Sequence, residues 1–169
     1  MGDILNDIAN CIPALRRYAR ALTHDRDSAD DLVQDALERA IVKRALWRPI
    51  GPIRPWLFQI LLNLHRNTIR DRKRDVELMP MDALAERIGV PASQAERAVL
   101  LETADAMQRL PDEQREALLL VAVEGLSYAE AAKVLDIPVG TLMSRLGRAR
   151  GALRQMTSEN GRPTLKAIK

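Results

Sequence analysis

The sequence predicts an all-α protein of two small helical domains joined by a flexible linker. Apolar residues recur at helical spacing through most of its 169 residues, and no stretch alternates with the period of a strand. The helical periodicity lapses once, around residues 75–95, where Pro80, Gly89 and Pro91 fall close together. The expected divisions are therefore a first domain over 1–75, a linker over 76–94, a second domain over 95–157 and a tail over 158–169. No internal repeat is visible.

From Ile4 to Leu22 the apolar set Ile8, Ile12, Leu15, Tyr18, Ala19 and Leu22 is helical but contains Pro13, so two helical pieces or one kinked helix fit. A polar connector, Thr23 to Ser28, ends in good N-cap residues. After it Ala29, Leu32, Val33, Ala36, Leu37, Ala40 and Ile41 keep an unbroken stripe. Trp47 to Pro55 holds three prolines and a glycine in nine residues and reads as a loop. A long helix is expected from Trp56 to about Lys73, buried along Leu57, Ile60, Leu61, Leu64 and Thr68.

In the second half a short helix is expected near Met81 to Ile88 and a longer one from Ser93 to Leu110. Pro111 breaks the latter, and Glu113 to Val123 forms the next helix, with Gly125 as its C′ residue. Ser127 and Glu130 have capping-box spacing, so a helix starts there and buries Ala131, Ala132, Val134 and Leu135. Asp136-Ile137-Pro138 ends it, because a residue before proline is driven out of helical geometry while proline suits a helix start.

The last helix places Leu142, Leu146, Ala149 and Leu153 on one face. The opposite face carries Gly140, Ser144, Gly147, Arg148 and Gly151, flanked by Thr141, Arg145, Arg150 and Arg154. Glycine inside a helix costs roughly 1 kcal/mol relative to alanine, so an ordinary solvated face has no use for three. A DNA major groove does: glycines admit close backbone approach, hydroxyls donate, and arginine pairs with phosphate or guanine. An αα-hairpin in a plain bundle is the other reading.

Composition narrows the class. A pI of about 9.3 with 26 Lys plus Arg leaves room for local basic patches, although the net charge is only +3. One cysteine, Cys11, excludes an internal disulfide, and His24 and His65 have no metal-ligand spacing. With no nucleophile set, metal set or phosphate loop, neither an enzyme nor a cofactor is expected. A leader and a long apolar run are both lacking, so a cytoplasmic protein without membrane insertion is expected.

Two further faces carry charge. Asp31, Gln34, Asp35 and Glu38 form an acidic band on the second helix, either a solvated face or an interface. Arg66, Arg70, Arg72, Lys73 and Arg74 gather at the end of the long helix, either complementing its dipole or binding a nucleic-acid backbone beside Trp56, Asn63 and Asn67. Trp56 fits a core position equally well.

Asp31-Leu32-Val33-Gln34-Asp35, Trp56-Leu57 with Asn63 and Asn67, Leu110-Pro111, and Pro138-Val139-Gly140-Thr141 with Ser144-Arg145 and Arg148-Ala149-Arg150 occur in the order found in one family. From about Ile12 to Arg154 the chain resembles the extracytoplasmic-function sigma factors of bacterial RNA polymerase. The resemblance implies sigma regions two and four, with Asp31, Gln34, Asp35 and Glu38 docking on core RNA polymerase. It implies minus-ten element binding and melting through the proline-rich loop, Trp56, Asn63, Arg66, Asn67, Arg70 and Lys73. It further implies minus-thirty-five recognition by Gly140, Thr141, Met143, Ser144, Arg145, Gly147 and Arg148, with Ser144 and Arg148 nearest the bases.

Met143 and Gly147 depart from the basic or larger residues many members carry there, so shape readout gains weight. The same resemblance implies promoter DNA and an anti-sigma factor as partners, and a stress or envelope response. Two alternatives belong beside it: a dimeric helix-turn-helix regulator, and a sigma mimic that binds an anti-sigma factor.

Overall fold

A computed structural model describes residues 2–47, 51–75 and 94–158, and among them every regular element is helical. The first half is α1 (Gly2–Thr23), α2 (Arg26–Lys43), a 3₁₀ turn (Arg44–Leu46) and α3 (Ile53–Asp75). The second is α4 (Gln94–Gln108), α5 (Asp112–Leu118) running into a π-helical turn (Leu119–Val123), α6 (Tyr128–Leu135) and α7 (Val139–Ser158). The linker and the short helix near Met81 to Ile88 fall outside the described residues.

Helix α1 runs through Pro13 as a single element, with the proline on its exposed side. A proline inside a helix forfeits a backbone bond, at about 3 kcal/mol. Burial of Ile8, Leu15, Tyr18, Ala19 and Leu22 against α2 and α3 offsets that loss. Between α1 and α2 the chain turns on His24, in left-handed geometry with φ 58°. The cap of α2 is Asp25 rather than Ser28: its carboxylate accepts the Ser28 N–H at 2.8 Å. The α2 stripe is buried through Ala40, but Ile41 is exposed, so the apolar pattern overruns the buried face by one residue.

Helix α3 begins at Ile53, three residues earlier than its pattern predicts, because Pro55 fits a first turn, where its missing N–H costs nothing. Tyr18 and Phe58 meet edge to face, with ring centroids 5.1 Å apart, and fix α1 on α3.

The expected helix from Glu113 to Val123 is present but changes type. The Glu124 N–H reaches back five residues to the Leu119 carbonyl, at 2.9 Å, and α5 therefore widens into the π turn. Gly125 closes it at φ 67°, and the Leu126 N–H bonds the Leu120 carbonyl. Both arms of the capping box form: the Ser127 hydroxyl accepts the Glu130 N–H at 3.2 Å, and Glu130 accepts the Ser127 N–H at 2.9 Å. The α6–α7 turn uses Asp136 in left-handed geometry at φ 54°. Leu142, Leu146 and Ala149 of α7 are buried in the core, as their spacing predicts.

The halves touch. Helix α3 packs on α6, and α1 reaches the π turn, so the buried apolar residues of both halves join one cluster.

Candidate nucleic-acid and polymerase interface

Helix α7 presents the face expected of a groove-reading helix. Gly140, Thr141, Met143, Ser144, Gly147 and Arg148 are all exposed, opposite the buried leucines. Among the described residues a Cβ built on Gly140, Gly147 or Gly151 meets no atom within 4 Å, so packing among them does not explain these glycines. Arg145 differs from its neighbours. Its side chain is largely buried, and its Nη2 lies 3.1 Å from the Glu113 carboxylate at the start of α5. It is therefore committed to an ion pair inside the second half.

On α3, Asn63, Asn67 and Arg70 are exposed and close along one side, with Arg70 Nη2 donating to the Asn67 Oδ1 at 3.0 Å. Trp56 is half-buried, its ring packed against the core cluster while part faces out, so it serves packing and retains an accessible surface. The side chain of Lys73 lies outside the described residues, and so do Arg48, Pro49 and Ile50 of the proline-rich loop. Arg66 turns away from the asparagines toward α5, where its Nη2 meets Glu116 at 2.6 Å. Burial opposes the charge on Arg66, but the bonds to Glu116 outweigh it and hold its pKa above the ordinary arginine value.

The acidic band of α2 is intact: Asp31, Gln34, Asp35 and Glu38 are all exposed, and Gln34 donates to Glu38 at 3.1 Å. Just beyond it Val42 is 80% and Leu46 75% exposed, with Ile41 beside them. Periodicity gives no signal for this exposed apolar group because Val42 lies off the stripe.

The sequence reading also misses the charged seam between the halves. Glu116 and Glu124 are buried, and their partners come from the first half. Arg17 grips Glu124 through two bonds of 2.7 and 2.8 Å, Arg54 adds a third at 2.8 Å, and Arg66 holds Glu116. A carboxylate at each end of the apolar run Ala117–Val123 is the one sequence signal that could have marked it. Around the seam His65 is buried and its pKa falls to about 4, chiefly by burial. Burial likewise drives Tyr18 well above the ordinary tyrosine value. Arg115, also buried, donates to the carbonyls of Gln108 and Leu110 and to Asp112.

Among the described residues no group of three or more His, Cys, Asp or Glu side chains could hold a metal ion, and no helix is long and apolar enough to cross a membrane.

Residues 8–62 match the family model for the Sigma2 domain of PhyR, and residues 100–153 match Sigma-70, region 4. The chain is 39% identical to the ECF RNA polymerase sigma factor EcfG of Rhodopseudomonas palustris, over 92% of this chain and 86% of that protein. It is 34% identical to the RNA polymerase sigma-H factor of Pseudomonas aeruginosa, over 77% of this chain and 73% of that one. Its fold is similar to that of the sigma factor RpoE of Bartonella quintana, solved in complex with the anti-sigma factor NepR. There the TM-score is 0.83 at 31% identity, covering 94% of this chain and 98% of that one. The two matched segments and the extent over which the chain covers these relatives show that the chain belongs to the extracytoplasmic-function RNA polymerase sigma factors.

Proposed function

We propose that this chain binds core RNA polymerase, directs it to promoters through two DNA elements, and is held in check by an anti-sigma factor. The observation that carries the DNA half of the reading is α7: a buried leucine stripe backed by exposed Gly140, Ser144, Gly147 and Arg148, with open space above each glycine. Ser144 and Arg148 contact base edges of the minus-thirty-five element, Thr141 and Met143 border them, and Arg145 serves the fold through Glu113. Asn63, Asn67 and Arg70, with Trp56 as an apolar wall and Lys73 on the backbone, engage the melted minus-ten strand. Asp31, Gln34, Asp35 and Glu38 dock on basic residues of core, with Val42 and Leu46 supplying apolar area.

The anti-sigma element is supported by the solved neighbours: RpoE of Bartonella quintana was solved with NepR, and CnrH with the cytosolic domain of CnrY. No step in this function makes or breaks a bond, so the protein acts by binding alone.

A second reading is favoured by the match of residues 8–62 to the Sigma2 domain of PhyR: a sigma-like chain that binds an anti-sigma factor and not polymerase. One experiment separates the two. The tagged chain is co-purified with bacterial core polymerase, and the complex is run on a genomic promoter pool. Core binding with new start sites is expected; retention of an inhibitor without core would establish the mimic.

A further inference from the structure

We propose that Glu116 and Glu124 form an autoinhibitory clasp that closes the second half onto the first and withholds Arg66 from DNA until the chain is opened. The inference rests on the sigma-factor reading for the role of Arg66, and on the geometry of the seam for the rest.

The clasp is asymmetric. The side chains of Glu124 and Glu116 are 0% and 5% exposed, whereas Arg17, Arg54 and Arg66 keep 52%, 36% and 37% of their surface in water. A buried carboxylate is tolerable only while charge-assisted bonds replace its hydration. Each of these carboxylates receives its ion-pair partners from the other half of the chain. Closing therefore requires all three arginines, and opening returns both carboxylates to water.

The seam joins these ion pairs to the apolar contact of α3 on α6, and removing one partner of a buried pair leaves an uncompensated charge that works against closure. The chain between Asp75 and Gln94 is the only covalent tie across it.

The site it closes is the one that matters for DNA. Arg66 sits one turn from Asn63 and next to Asn67 on α3, yet points at Glu116, which thus takes the place of a phosphate. Beside that pair a cleft lined by Arg66, Ile69, Asp112, Glu113, Glu116 and Arg145 brings α3, α5 and α7 together. With α3 held against α5 and α6, the two candidate DNA faces have one fixed separation. Binding two promoter elements in one duplex requires that separation to be set by polymerase instead.

The test uses the full chain carrying Glu116→Gln and Glu124→Gln, which keep side-chain shape and leave every arginine in place. Small-angle scattering reads compaction, and a labelled 20-nucleotide single-stranded DNA of mixed sequence reads freed positive charge. Expansion together with roughly tenfold tighter DNA binding and a steeper salt dependence is expected. An unchanged radius, or expansion with unchanged DNA affinity, overturns the proposal.

Arg17→Ala provides an independent arm if the paired variant folds poorly. It alters only a half-exposed side chain outside both DNA faces and leaves Glu124 under-compensated, so it also expands the chain; a compact Arg17→Ala protein overturns the clasp. Core binding by the unaltered chain is measured alongside. Its loss would refute the sigma reading, while the radius of the variants decides whether the clasp exists and their DNA affinity whether it is autoinhibitory.

Discussion

Replacing Gly147 by alanine separates stability from function in a way few substitutions can. The residue lies in the middle of α7, exposed, with helical backbone, and the added methyl meets nothing within 4 Å. The native state therefore incurs no steric cost, while the unfolded chain loses glycine's extra freedom, for a gain of about 1 kcal/mol. In a chain of this size that gain raises the melting temperature by about 2–4 °C.

Promoter binding should move the other way. A methyl on the groove side pushes the backbone off the base edges, and a loss of about 1 kcal/mol is roughly fivefold in affinity. Gly147→Leu should lose more. Thermal unfolding followed by circular dichroism gives the first quantity. Anisotropy of the holoenzyme on a promoter recovered from the genomic pool gives the second. A Gly147→Leu protein that binds that promoter as tightly as the unaltered chain would refute the argument that the glycines make room for DNA.

Four other outcomes follow from the same geometry. Arg148→Ala should weaken minus-thirty-five recognition by about 1–3 kcal/mol without affecting core binding, read as lost protection of that element in a footprint. Asp31→Arg should reduce co-purification with core while leaving duplex binding by α7 and the melting temperature unchanged, because Asp31 is exposed.

Ser127→Ala removes one arm of the capping box and should cost about 1 kcal/mol in urea unfolding. His65 holds its pKa near 4 in the folded chain against an ordinary 6.5, so between these values the unfolded chain binds a proton that the folded chain refuses. Stability therefore rises with pH across that window, by at most about 3 kcal/mol, and His65→Gln should flatten the rise by the same amount.

What the sequence made legible was local. The α2 stripe, the capping box, the turn at Gly125 and the two-faced pattern of α7 each depend on residues within a turn or two of one another, and each is present. The helix starts were less legible, because Asp25 and Ser28 are both good caps and because Pro55 suits a loop and a first turn equally.

The partners of Arg66 and Arg145 were invisible for a different reason. An exposed arginine and one committed to a carboxylate have the same local pattern, and Glu116 lies 50 residues from Arg66. Helical phase could place Arg66 on the side of α3 beside the asparagines, but not say that α5 would meet it there. The π turn escaped notice because its residues, Leu119 to Val123, are all apolar and carry no phase.

That turn has a consequence for how this helix can change in length. Eight steps of an α-helix, at about 100° each, would leave Glu124 about 80° around from Glu116 and out of line with the arginines of the first half. Five of those steps taken at about 80°, the wider winding of a π-helix, bring the two carboxylates to within about 20° of one another. A chain one residue shorter and α-helical throughout would align them equally well, also at about 20°. The π turn thus has the form of a one-residue insertion taken up as girth instead of rotation. Loss of one residue between Leu119 and Val123, with the segment rewound as an α-helix, would therefore keep both acids in register, whereas one further α-helical residue between them would carry Glu124 about 80° out of line.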